Sequence, residues 1–219
     1  MGRSKQFIEL RGMPALRYTL RAFEESPEVA RIYAVGDRQR IGALVQAAGI
    51  DKYAACAEPG EARSFSTRNG LLLCTEDPET IVLVHDGSRC LVTPGLIRRV
   101  VRAASGDGEP DGVIPGVPVS DTIKVARNGT VARTLDRTNL RAVQTPQAFR
   151  LGLLRRLHDS PEESLHAATD EASLVERKGG RVEIVAGDKT NIKLTSPEDL
   201  VFAEAILAIR EGATREALP

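Results

Sequence analysis

One stretch constrains the fold more than any other: Ile81-Val82-Leu83-Val84-His85-Asp86-Gly87-Ser88-Arg89. Four apolar, mostly β-branched residues run straight into a carboxylate, two small residues and a guanidinium. A short continuous apolar run suits a strand buried on both faces of a parallel sheet. In open α/β sheets ligands bind beyond the carboxyl ends of the strands. Asp86 and Arg89 would stand there, with Gly87 and Ser88 leaving room. A carboxylate so placed suits a hard cation such as Mg²⁺, which takes one or two carboxylates plus phosphate oxygens. The same residues also read as an Asp capping the next turn beside a surface Arg. The stretch alone does not separate the two readings.

The flanking pattern is one of alternating strands and helices. Pro14 opens a helix with Leu16, Leu20 and Phe23 on one face. Residues 29–35 read as a strand, and Asp37 caps a helix carrying Ile41, Leu44, Val45 and Ala48. A strand at 53–57 and a helix at 62–74 follow. Thr93-Pro94 starts a helix with Leu96, Ile97, Val100, Val101 and Ala104 on one side, and 112–119 is the next strand. The alternation predicts an α/β fold: a Rossmann-like, mostly parallel sheet with helices on both faces.

The pattern breaks at residues 121–134, where Asn128-Gly129 joins two β-prone segments. Asn-Gly in that setting is a strong hairpin signal. A hairpin projecting from the sheet has little of its own to bury and is marginal alone. The arm, about 119–138, is therefore expected to pack on a second copy in a homodimer. Helices resume near Phe149 and at 169–177. A strand at 182–185 follows, residues 191–195 alternate like a strand, and a capped terminal helix starts at Ser196 and frays beyond Glu211. With no repeats or linkers, residues 1–219 read as one domain.

Charge excludes several function classes. Lys plus Arg equals Asp plus Glu at 30 each, so nothing favours nucleic acid or an anionic membrane. Five Phe, three Tyr and no Trp leave few stacking platforms for single strands. Cys56, Cys74 and Cys90 are odd in number and lack ligand spacing, which suits reduced, buried thiols. No apolar run approaches the roughly 20 residues of a membrane span, and the first residues lack a signal-peptide core. A cytoplasmic protein is expected.

Cations recur at strand or loop ends: Lys5, Arg63, Arg89, Lys124, Arg137 and Lys193. Each alone reads as a solvated charge. Gly60-Glu61-Ala62-Arg63-Ser64-Phe65-Ser66, however, is a glycine turn into a helix start, apt for anionic or polar ligand groups. Many cations facing one strand-end Asp suggest phosphates with a divalent metal, hence phosphoryl or nucleotidyl transfer.

Taken together, the motifs resemble a known family. They are Lys5-Gln6-Phe7, Gly60-x-x-Arg63-x-x-Ser66, His85-Asp86-x-x-Arg89, Asp121-Thr122-x-Lys124, Asp136-Arg137, Gln144-Thr145-Pro146-Gln147-x-Phe149, Thr169-Asp170-Glu171-Ala172-Ser173 and Asn191-Ile192-Lys193-x-Thr195-x-Pro197-Glu198-Asp199-Leu200. In this order, from Lys5 to about Glu204, they resemble the 2-C-methyl-D-erythritol 4-phosphate cytidylyltransferases of the non-mevalonate isoprenoid pathway. The resemblance implies transfer of CMP from CTP to the polyol phosphate, by in-line attack of the substrate phosphate on the α-phosphorus with release of pyrophosphate. It implies catalytic roles for Lys5 and Lys193 and cytidine contacts from Gly60, Arg63 and Ser66. Asp86 is placed at the nucleotide and at Mg²⁺. Substrate contacts fall to Arg89, Thr122, Arg137, Thr145 and Lys193, with Thr122 and Arg137 on or beside the arm that reaches the partner's site.

Family members also carry a strand and a glycine-rich loop, Ala-Ala-Gly-x-Gly-x-Arg-Met, before the Lys-Gln motif. Here 1–5 resembles the tail of that loop, so the first strand and the phosphate-cradling glycines are expected to be missing. Smaller departures are Gly87-Ser88 where Ala-Ala is usual, Cys90 for Pro, and Thr190 for an acidic residue. Two rival readings remain: a ribitol 5-phosphate cytidylyltransferase, and a non-catalytic dimeric relative.

Overall fold

The computed structural model describes residues 5–106 and 108–216. Residues 1–4, read as the tail of a glycine-rich loop, lie outside the described residues. A 3-10 turn at Lys5–Phe7 leads into a two-strand bridge, β1 (Glu9–Leu10) antiparallel to β2 (Met13–Pro14). Helix α1 (Ala15–Glu24) starts directly after Pro14 and buries Leu16, Leu20 and Phe23. Strand β3 (Ile32–Val35) precedes α2 (Arg38–Ala48). There the Asp37 carboxylate accepts from the Arg40 N–H at 3.0 Å, and Gly49 ends the helix at φ 61°. Strand β4 (Tyr53–Ala57), α3 (Arg63–Leu73) and β5 (Ile81–Val84) follow. Thr93 caps α4 (Pro94–Ala104) ahead of Pro at the first helical position.

Strand β6 (Gly112–Pro118) ends before the hairpin of β7 (Lys124–Arg127) and β8 (Thr130–Thr134). Asn128 and Gly129 both have positive φ, 49° and 76°, as a tight two-residue hairpin turn demands. After β9 (Arg141–Val143) and β10 (Gln147–Arg150) come α5 (Leu151–His158), α6 (Glu162–His166), α7 (Glu171–Arg177), β11 (Val182–Ala186) and α8 (Glu198–Glu216).

The α/β class stands, but the sheet is mixed rather than mostly parallel. Its order is β11-β6-β10-β5, with β9 also on β6. Strand β11 runs parallel to β6, whereas β10 lies antiparallel to both β5 and β6. Where the sequence suggested a helix near Phe149, β10 occupies 147–150 and α5 begins at Leu151. Four residues with Phe149 buried look alike in a short strand and in a helix start. Strand β5 packs on both faces, Val82 and Val84 against one layer and Ile81 and Leu83 against the other, but as the last strand in the order it is only half-buried. Strands β3 and β4 form a separate parallel pair. Residues 191–195 make no strand, and α8 continues through Glu216 instead of fraying after Glu211.

Strand alternation sorts the core into two layers. Ile114 of β6 and Phe149 of β10 pack with Leu151, Leu154, Leu157 and Val175 of the α5–α7 layer. Val113 and Ala148, one residue back on each strand, pack with Leu96, Ile97 and Val100 of α4. Both sheet faces are thus covered, which pins the strand ends carrying Asp86 and Thr145. All three cysteines are free and buried. Among the described residues, no helix is long and apolar enough to cross a membrane.

Candidate active site

The site grows from the end of β5. Directly after Val84 the chain makes a turn closed by the Arg89 N–H donating to the Asp86 carbonyl at 2.8 Å. The turn is anchored from the β9–β10 connection. The Asp86 N–H donates to Thr145 Oγ1 at 3.0 Å, and Thr145 Oγ1 lies 3.0 Å from His85 Nδ1. His85 Nε2 lies 3.1 Å from the Arg89 carbonyl, which can only accept. Nε2 therefore carries the proton, and Nδ1 accepts from the Thr145 hydroxyl. Burial pushes the His85 pKa down to about 4, which keeps this neutral tautomer in place.

Asp86 is gripped by two cations. Its Oδ1 accepts from Arg63 Nε at 2.9 Å and its Oδ2 from Lys193 Nζ at 2.7 Å. Burial alone would raise its pKa, but the two cations outweigh that and hold it at about 2, so Asp86 is a carboxylate at neutral pH. Arg63 stands at the first position of α3 and faces a second carboxylate, Glu171, 2.6 Å from Nη1. Burial works against the Arg63 charge, yet the two carboxylates prevail and raise its pKa. Lys193 arrives on a segment tied to the same turn by the Leu194 N–H, which donates to the Ser88 carbonyl at 2.9 Å. Arg89 donates to the carbonyls of Asn191 and Val143 at 3.0 and 3.2 Å, while its Nε has no partner among the described residues.

Arg63, Asp86, Arg89, Thr145 and Lys193 together line one cleft of about 170 Å³. Five residues separated by up to 130 positions in the chain thus converge, with a helix-start cation and a loop cation on one strand-end carboxylate. The other expected residues stand elsewhere. Lys5 is in the 3-10 turn, its Nζ donating to the Thr195 carbonyl at 3.1 Å. Gly60 lies in the turn before α3 and Ser66 in the first turn of that helix, where Ser66 Oγ accepts from the Gly60 N–H at 3.0 Å. Only glycine fits there: a Cβ on Gly60 would lie 2.5 Å from Phe65 Cβ and 2.8 Å from its backbone carbon. Thr122 and Arg137 lie exposed at the base of the hairpin, outside this cleft, with Arg137 donating to the Ser120 carbonyl.

Five cleft residues carry no site role expected from the sequence: Val143, Gln144, Gln147, Thr169 and Asp170. The Asp170 side chain was read as a helix cap, and it does accept from the Ser173 N–H at 3.0 Å. Its other oxygen accepts from Gln147 Nε2 at 2.7 Å, which turns the cap toward the cleft wall. The signal available was the Asp170-Glu171 pair, since one carboxylate suffices for a cap.

Among the described residues, no three His, Cys, Asp or Glu side chains converge to hold a metal ion. Asp86 offers a single carboxylate, already shared by Arg63 and Lys193. A carboxylate has about four lone-pair sites, so it can serve as one ligand to Mg²⁺ when phosphate oxygens supply others.

Comparison with known proteins assigns this arrangement to a lineage. Residues 1–209 match the family model described as IspD: 2-C-methyl-D-erythritol 4-phosphate cytidylyltransferase. A protein of that description from Rubrobacter xylanophilus is 66% identical over 211 residues, covering 96% of this chain and 90% of the relative. Another from Geobacillus kaustophilus is 46% identical, covering 95% and 91%. A crystal structure of 4-diphosphocytidyl-2C-methyl-D-erythritol synthase superposes with a TM-score of 0.82 at 31% identity, covering 93% of this chain and 94% of that one. The Thermus thermophilus cytidylyltransferase superposes with a TM-score of 0.76 at 32% identity and the same coverage.

Proposed function

The chain belongs to the 2-C-methyl-D-erythritol 4-phosphate cytidylyltransferase family, and from that premise we propose how its own residues divide the work. The reaction is CTP-dependent: a phosphate oxygen of 2-C-methyl-D-erythritol 4-phosphate bonds to the α-phosphorus of CTP. The bond from that phosphorus to the bridging oxygen breaks, and pyrophosphate leaves with the electron pair. No covalent enzyme intermediate is needed, so positioning and charge neutralisation carry the rate.

The observation that carries the reading is Asp86 bridging Arg63 and Lys193. Three cations, Arg63, Arg89 and Lys193, against two carboxylates, Asp86 and Asp170, leave the cleft lining net positive, ready to exchange part of the Asp86 pairing for phosphate oxygens. Lys193 holds the polyol phosphate, with Arg89 and Thr145 beside it on the cleft wall. Arg63, at the start of α3, bridges this pocket to the nucleotide contacts of Gly60 and Ser66. Lys5 neutralises charge on the CTP phosphates. Mg²⁺, held by Asp86 and the nucleotide phosphates, would supply further charge shielding.

The hairpin supports a homodimer. Its strands are almost wholly exposed, with Val131 58% accessible, and such a hairpin is marginal without a surface to pack on. A second copy is the proposed surface, and its site is where Thr122 and Arg137 would act. The free thiols and the absence of a spanning helix among the described residues support the cytoplasm as the location.

The test is pyrophosphate release from CTP with Mg²⁺ and either methylerythritol 4-phosphate or ribitol 5-phosphate, beside sedimentation to obtain the mass. Release with methylerythritol phosphate, lost on adding EDTA, is expected from a dimer. Release with ribitol phosphate alone, or with neither, overturns the substrate assignment; a monomer overturns the shared arm.

A further inference from the structure

Behind the cleft wall sits a carboxylate that the roles above leave unused. Glu171 is 1% exposed, in the first turn of α7, and both its oxygens are engaged. Oε2 accepts from Arg63 Nη1 at 2.6 Å and Oε1 from the Thr67 hydroxyl at 2.9 Å. Arg63 and Thr67 are one turn apart on α3, so one buried carboxylate clips a single helix face. Glu171 is itself fixed at its root, for Asp170 caps α7 and accepts from buried Gln147, whose Oε1 accepts from the Ala172 N–H.

The guanidinium is consequently held from two sides: Nη1 on Glu171 behind, Nε on Asp86 in front. Its planar fork makes these contacts interdependent, since a fixed Nη1 fixes where Nε points. With Nε on Oδ1 of Asp86, Oδ2 is left to Lys193. We infer that Glu171 is a positioning residue for cytidylyl transfer, acting through Arg63 to set the orientation of Asp86 and its sharing with Lys193. This deepens the proposed function and rests on Arg63 and Asp86 belonging to the reacting site.

The experiment compares the wild type with Glu171→Gln, Thr67→Val, Arg63→Lys and the double variant Glu171→Gln/Arg63→Lys. Glutamine keeps the volume but has one acceptor oxygen in place of two and no negative charge, so the grip on Arg63 is weakened and the Thr67 hydroxyl loses its carboxylate acceptor. Expected for Glu171→Gln is a fall in kcat/KM of about tenfold or more, in the range seen when outer partners of site groups are removed. In the Arg63→Lys background the same change should cost less than about threefold, because the group it acts through is gone. Full additivity of the two losses overturns the inference. Thr67→Val should lower kcat/KM in the same direction by less; it also carries the test if Glu171→Gln fails to fold, and an unchanged rate would then count against the role.

A second readout is independent of turnover. The Arg63 Nε–Hε resonance, identified by its disappearance in Arg63→Lys, should be slowly exchanging in wild type and lost to exchange in Glu171→Gln. Persistence of that signal overturns the positioning role even if the wild type were inactive toward the polyol phosphate. Wild-type inactivity alone would count against the reaction assignment instead.

Discussion

Thr145 Oγ1 stands 3.0 Å from His85 Nδ1 and 3.0 Å from the Asp86 backbone nitrogen, so one hydroxyl ties β10's leading loop to the turn that carries the site carboxylate. The hydroxyl donates to the imidazole and accepts from the amide, and neither duty can be filled by a methyl group. Thr145→Val would leave a buried N–H and a buried ring nitrogen unpaired. At about 1–3 kcal/mol for each such group, the variant should lose roughly 2–6 kcal/mol of stability by denaturant titration. Thr145→Ser should recover most of it. A valine variant as stable as wild type would show that the relay does not hold the turn.

The turn before α3 tolerates no side chain at its glycine. Gly60→Ala would drive a Cβ into Phe65 and the Ser66 nitrogen, 2.9 Å away, both of them fixed by the first turn of the helix. Overpacking of this kind costs about 1–3 kcal/mol, and the displacement falls on the residues proposed to meet cytidine. The expected outcome is weaker CTP binding by calorimetry with the KM for the polyol phosphate little changed. Unaltered CTP affinity would separate this turn from the nucleotide site.

Lys193 and Lys5 should fail differently. A charge-assisted hydrogen bond contributes about 1.5–3 kcal/mol, so Lys193→Ala should raise the KM for the polyol phosphate by about 10–100-fold. Lys5→Ala should chiefly lower kcat. Wild-type kinetics in either variant would remove that residue from its assigned role.

Acid should weaken the fold through a buried imidazole. His158, at the end of α5, is 1% exposed, and neither ring nitrogen has a partner among the described residues. Burial lowers its pKa; Glu171 and Asp159 favour its charge, while Arg68 and Arg63 oppose it. Its unfolded pKa is about 6.5. Below that value the unfolded chain takes up the proton before the folded one does, so stability is present near neutrality and is lost as pH falls toward the depressed folded pKa. His158→Leu should shrink the stability difference between pH 7 and pH 5 measured by urea titration. An identical difference in both proteins would assign the acid sensitivity elsewhere.

Much of the helical frame was legible in local chemistry. Pro14, Asp37 and Thr93-Pro94 mark the starts of α1, α2 and α4, and Asn128-Gly129 marks the hairpin, because caps and turns are short-range hydrogen-bonding problems. Strand β10 was not legible. Its residues alternate no more clearly than the start of a helix, and only pairing with β5 and β6 decides the matter.

The candidate site divides along the same line. The cations and the strand-end Asp86 were enough to suggest phosphoryl or nucleotidyl transfer, and the motif order from Lys5-Gln6-Phe7 through His85-Asp86 to Asn191-Ile192-Lys193 narrowed this through its resemblance to a known family, since motif spacing survives in one dimension. Tertiary structure alone decided that Arg63 and Lys193 divide the two oxygens of Asp86, that Thr122 and Arg137 stand away from this chain's own cleft, and that Glu171 lies behind Arg63. These contacts join residues up to 108 positions apart. A charge read from sequence carries no direction; burial between packed helices and strand ends supplies it, because an ion taken out of water must find its counter-ion at a fixed place.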